Sequence, residues 1–94
     1  MTQWKTTKLK RLAKAILSMH SEEEILSFLR DVATLEELTE LANRWDVVLQ
    51  LSCGKNYRDI AENTKMSTTT ITRIAHWLYH GEGGYQLALK RLKK

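Results

Sequence analysis

Residues 57–74 read Tyr-Arg-Asp-Ile-Ala-Glu-Asn-Thr-Lys-Met-Ser-Thr-Thr-Thr-Ile-Thr-Arg-Ile, and this stretch decides the fold. Two helices that cross closely at a tight turn need a small residue at the approach, apolar residues on the facing sides and a polar outer face on the second helix. Ile60, Ala61, Met66, Ile71 and Ile74 meet those demands in order, and Ser67 is placed to cap the second helix. The spacing predicts a helix-turn-helix over residues 57–80. Its turn needs a residue tolerant of positive φ, and of Asn63, Thr64 and Lys65 the asparagine is the expected one.

With Ile71, Ile74, Ala75 and Leu78 turned to the core, Thr68, Thr69, Thr72, Arg73 and His76 fall on the exposed side of the second helix. Hydroxyls there can bond phosphate oxygens or base edges, and threonine methyls can touch the methyl of thymine. An arginine can hold guanine through two hydrogen bonds or sit on a phosphate. The free N–H groups of the helix N-terminus also attract phosphate. Arg58 stands in the first turn of the supporting helix, with Lys55 and Lys65 beside it. Double-stranded DNA is therefore the expected partner. Lys65 and Ser67 would mainly position the backbone, while Thr68, Thr69 and Thr72 would mainly read bases.

Outward from this segment the apolar period is helical everywhere. One helix is expected from Trp4 to Met19, with Leu9, Leu12, Ala13, Ile16 and Leu17 on one stripe. A second follows Ser21, with Ile25, Phe28, Leu29 and Val32 inward. A third, the longest, follows Thr34, with Leu38, Leu41, Ala42, Trp45, Val48 and Leu49 on one face and Val47 and Leu51 pointing elsewhere. Gly54 should end it and Asn56 should cap the next helix, Tyr57 to Asn63. The helix after Ser67 should stop at Gly81, and Gly83 and Gly84 release the chain into a last helix with Tyr85, Ala88, Leu89 and Leu92 as its stripe. Lys90, Arg91, Lys93 and Lys94 suit its negative end.

The expected architecture is therefore all-α, one domain over 1–94. Residues 4–53 form a bundle, 57–80 the helix-turn-helix and 84–94 a return helix. Composition agrees: the 94 residues include no proline and four glycines, which leaves too few turn signals for a sandwich or barrel. Trp4, Phe28, Leu35, Trp45, Val47, Leu51 and Trp77 add more apolar surface than so small a chain can cover, so a homodimer is expected.

The charge balance is +4 overall, but it is unevenly placed: +5 over residues 1–20, −6 over 21–46 and +5 over 47–94. Two basic ends suggest an anionic partner. The acidic middle has a structural reading, since Ser21 with Glu24 and Thr34 with Glu37 have the spacing of capping boxes. One cysteine, Cys53, leaves no intrachain disulfide and fits a reducing cytoplasm. Lysines interrupt the N-terminal segment, so neither export nor a membrane span is expected.

The stretch Leu41-Ala-Asn-Arg-Trp45, then Gly54, then Arg58-Asp-Ile60, then Thr70-Ile-Thr-Arg73 resembles the tryptophan-repressor superfamily. The tail Tyr79-His-Gly-Glu-Gly-Gly-Tyr85 is similar to its YerC/YecD branch of TrpR-like proteins. The resemblance covers residues 12–93. It implies a six-helix chain intertwined with a second copy, the first three helices and the last building the shared core. Two reading heads would then lie about 34 Å apart, one DNA turn. It implies a cytoplasmic, nucleoid-associated transcriptional regulator, a repressor, and no enzyme. In tryptophan repressors the ligand lies between two arginines that match Arg44 and Arg73 here. The next residue is glycine in that family and Ile74 in this chain. A branched side chain there would fill the pocket, so the effector role of Arg44 and Arg73 is expected without L-tryptophan.

Other signals point to less. His76 and His80 are four apart and could share a metal ion, but Trp77 stands where a zinc protease would need glutamate, and only Glu82 suggests a third ligand. No metal cofactor is expected; His76 reads as a further DNA contact and His80 as a residue of the helix C-terminus. Cys53 lacks a His–Asn pattern and reads as an idle thiol. A helical module that uses the Thr/Arg face to bind an acidic protein is the alternative to DNA binding, and residues 4–19 could lie on a membrane surface.

Overall fold

The computed structural model describes residues 3–93. Six helices account for the secondary structure of these residues: α1 Thr7–Leu17, α2 Glu22–Val32, α3 Leu35–Ser52, α4 Tyr57–Thr64, α5 Thr68–His80 and α6 Gly84–Leu92. Lys93 caps α6, and Lys94 lies outside the described residues. The chain divides into two compact units, the first ending at Leu38 and the second beginning at Thr39.

In the first unit, local side chains set the helix ends. Thr6 Oγ1 accepts a hydrogen bond from the Leu9 amide at 3.1 Å, so α1 begins at Thr7 rather than at Trp4. It stops at Leu17, two residues before the expected end, where Ser18 Oγ donates to the Ala15 carbonyl at 2.7 Å. Before α2, the Ser21 hydroxyl accepts from the Glu24 amide at 3.2 Å, but Glu24 Oε1 reaches one residue further back, to the His20 amide, at 2.7 Å. Thr34 and Glu37 close the full reciprocal box ahead of α3, at 3.1 and 2.8 Å. These contacts order the termini, yet no residue of α1 or α2 is buried. Leu17 is 83% exposed, and Val32, expected inside, is 56% exposed.

The core lies in the second unit. Val47, Val48 and Leu51 of α3 meet Ile60 of α4 and Ile71, Ile74, Ala75 and Leu78 of α5, with Trp45, Ala61, Met66, Tyr85 and Leu89 packed against them. This corrects the reading of α3. Leu41 and Leu49 belong to the three-and-four stripe but are exposed, whereas Val47 and Leu51, expected to point elsewhere, are core. The helix is apolar almost all round at this end, and α4 and α5 cover its Val47–Val48–Leu51 side. In α6, Tyr85 and Leu89 pack inward while Leu92 is exposed.

Gly54 is where the backbone demands a glycine: its φ is +86°. The Gly54 amide bonds the Leu51 carbonyl at 3.0 Å and the Lys55 amide bonds the Gln50 carbonyl at 3.2 Å, the paired closure of a Schellman end. Cys53 precedes it and is exposed. Gly81 ends α5 for a different reason. A Cβ there would lie 2.4 Å from the Trp77 carbonyl oxygen, so only glycine lets the chain pass so close to the last turn. Gln86 Nε2 then donates to the Leu78 carbonyl at 2.9 Å and ties α6 to the end of α5.

Candidate nucleic-acid interface

The helix-turn-helix is built as its spacing predicts, apart from the turn. Asn56 Oδ1 caps α4 through the Asp59 amide at 2.8 Å, and Ser67 Oγ caps α5 through the Thr70 amide at 3.1 Å. Asn63 does not take the left-handed position. It remains inside α4, with its Nδ2 donating to Gln50 Oε1 of α3 at 3.2 Å. The Thr64 hydroxyl, donating to the Ile60 carbonyl at 2.7 Å and accepting from the Met66 amide at 3.3 Å, extends the helix by one residue. The first residue beyond is Lys65, which adopts φ +60° and ψ 25°. A left-handed lysine costs roughly 1–2 kcal/mol, of which glycine recovers part after its own entropic cost. Lys65→Gly is therefore expected to stabilise the fold by about 0.5–1 kcal/mol, as a higher urea midpoint at unchanged slope.

Ser67, Thr68, Thr69, Thr72, Arg73 and His76 are all exposed along α5, and Arg58 and Lys65 are exposed on α4 and the turn. Their hydroxyls are not equivalent. Ser67 Oγ and Thr70 Oγ1 are 3.0 Å apart and bond each other, and Thr72 Oγ1 donates to the Thr68 carbonyl at 2.8 Å. Thr72 thus presents its methyl and an accepting lone pair, suited to an amino group of a base. Thr68 and Thr69 have no hydroxyl partner among the described residues and can donate or accept. Their backbone N–H groups lie ahead of the capped Thr70 amide and remain open to an anion.

The charges are also uncommitted. Among the described residues the ion pair is Arg44 Nη2 with Glu40 Oε2, 2.6 Å apart on one face of α3 and about half exposed. Arg58, Lys65 and Arg73 carry no such partner, and no carboxylate lies between Ser67 and Gly81 on α5. The outer face of α5 is hydroxyl-rich, open and free of acids, and it carries Arg73, which suits a phosphate backbone.

Arg44 and Arg73, paired by sequence resemblance, do line one cavity of about 500 Å³. Thr70, Ile74, Trp77, Glu82, Gly84 and Tyr85 complete its wall. Ile74 is 5% exposed and mainly faces the core, so it forms part of the wall without closing the space. The indole of Trp77, the Tyr85 ring stacked on Trp45 at 6.1 Å, and the Glu82 carboxylate were not foreseen as lining. Two signals could have found them: Trp77 is one turn beyond Arg73, and Glu82 and Tyr85 sit in the glycine-rich tail that follows.

A family model described as Trp repressor protein matches residues 7–93. The chain is 37% identical over 86 residues to YerC, an uncharacterized protein of Bacillus subtilis, covering 92% of this chain and 83% of that protein. A crystal structure of a TrpR like protein from Eubacterium eligens superposes with a TM-score of 0.90 at 37% identity, over 98% of this chain and 95% of that one. No helix among the described residues is long and apolar enough to cross a membrane. The chain belongs to the Trp repressor family, on its YerC side.

Proposed function

We propose that this member of the Trp repressor family is a sequence-specific DNA-binding transcriptional regulator, a repressor, that acts in the cytoplasm as a homodimer. The observation that carries the reading is the outer face of α5. Thr68, Thr69, Thr72, Arg73 and His76 are exposed together, no acid interrupts them, and Arg58, Lys65 and Arg73 have no ion-pair partner among the described residues. Arg58 and Lys65 hold phosphates, Ser67 fixes the start of the helix, and Thr68, Thr69, Thr72 and Arg73 read base edges.

The homodimer is supported by the apolar surface that one chain leaves uncovered. Leu26, Val32, Leu35 and Leu41 are each more than half exposed, and α1 and α2 bury no residue. A second copy would cover that surface and place two reading heads on a pseudo-palindromic site.

The test is selection of bound duplexes from a random pool, followed by affinity measurements over a range of salt. Two chains per duplex, a sequence preference and a steep salt slope are expected. Binding with neither salt dependence nor preference would sink the proposal. In the selected duplex, Arg73→Ala should cost about 1–3 kcal/mol and relax preference at one base pair; a uniform loss over all sequences would make Arg73 a phosphate contact instead.

L-tryptophan is not required in this reading. Ile74 and Trp77 both wall the cavity of Arg44 and Arg73, and a branched side chain at position 74 leaves less room beside the two arginines than a glycine would. The selection repeated with and without L-tryptophan should return the same affinity, and a large rise would overturn this part.

A further inference from the structure

We propose that His76 and His80 form a two-imidazole site for zinc on the outer face of α5. Four residues apart on one helix, the two rings share a face, and both are exposed. Their centroids are 5.3 Å apart, with the ring planes inclined by 42°. Zinc binds imidazole nitrogen at about 2.0–2.1 Å, and two rings bound at a tetrahedral angle have centroids roughly 5.2 Å apart. A right-angled pair, as in tetragonal copper, would bring them to about 4.5 Å. The centroid spacing in the chain is close to the tetrahedral value, and both rings, exposed and without hydrogen bonds among the described residues, can turn a nitrogen toward one ion.

Three further features favour a cation here. Neither imidazole spends a nitrogen on a hydrogen bond or ion pair among the described residues. His80 lies in the last turn of α5, at the negative end of the helix dipole. The Trp77 ring makes a T-shaped contact with the His76 ring at 6.1 Å and 84° and packs one side of it. No third His, Cys, Asp or Glu completes a cluster among the described residues. Water fills the other zinc positions, and imidazole donors select zinc-like ions over magnesium or calcium.

A bound zinc adds two positive charges one turn beyond Arg73, so it tightens binding to a duplex; this consequence rests on the DNA-binding reading, whereas the site itself does not. Calorimetric titration of the free protein with zinc chloride should show one zinc per chain, with a melting temperature that rises with zinc concentration and ignores magnesium. Saturable binding should vanish in His76→Gln and in His80→Gln and persist in His20→Gln. Both pair positions are exposed, so circular dichroism should show all three variants folded. No binding by the parent chain, or binding that survives either pair substitution, overturns the site. Duplex affinity should then be about tenfold higher in zinc than in chelator, with no zinc effect in His80→Gln. Unchanged affinity with zinc bound overturns the coupling alone, and absence of duplex binding in both conditions overturns the DNA reading and not the site.

Discussion

Ile71→Ala is expected to destabilise the chain by about 2–5 kcal/mol, which is comparable to much of the total stability of a small domain. Ile71 is fully buried where α5 meets Val47 and Val48 of α3 and Ile60 of α4. Truncation removes three carbon atoms and leaves a cavity that rigid helices on both sides cannot close. The loss should appear as a lower urea midpoint with little change in slope, because the surface exposed on unfolding is nearly the same. DNA binding should fall only as the folded fraction falls, so the variant's affinity per folded molecule is preserved at low denaturant. A loss within about 0.5 kcal/mol, the range of ordinary surface substitutions, would mean that the core is not centred on the helix-turn-helix.

That core was legible because its constraints are local. Ile60, Ala61, Met66, Ile71 and Ile74 lie within fifteen residues, and the helix period alone fixes which of them face one another. Caps were legible for the same reason: Ser21, Thr34, Asn56 and Ser67 each bond an amide three residues ahead. The sequence is ambiguous where a choice depends on distant packing. Period shows that α3 is apolar on several sides, but which side its own chain covers depends on α4 and α5, and so period alone does not place Val47 and Leu51 in the core. The left-handed residue of the turn followed the end of α4, which the Thr64 hydroxyl shifts by one position onto Lys65. At the candidate site, exposure of the α5 face followed from the core assignment. The cavity of Arg44 and Arg73 took its two arginines from resemblance, while its aromatic wall needed the return of α6 to bring Tyr85 near.

Thr69→Glu should separate the fold from the function most cleanly. Carboxylates are favourable in the first turn of a helix, and α2, α3 and α4 have Glu22, Glu23, Glu24, Glu36, Glu37 and Asp59 there. The first turn of α5 contains none. Stability alone would welcome one: a glutamate at position 69 gains about 0.3–1 kcal/mol from the helix N-terminus and has a better helix propensity than threonine. A phosphate at the same N–H groups would meet that charge directly, at a cost of several kcal/mol. Thr69→Glu should therefore melt at or above the temperature of the parent chain yet bind the selected duplex roughly a hundredfold more weakly, about 3 kcal/mol. Thr69→Gln, with the length of glutamate and no charge, should recover the electrostatic part of the loss and keep only the cost of the missing threonine contact. If the glutamate variant binds as the parent does, the N-terminus of α5 does not meet the duplex, and the absence of acids along this helix has some other origin.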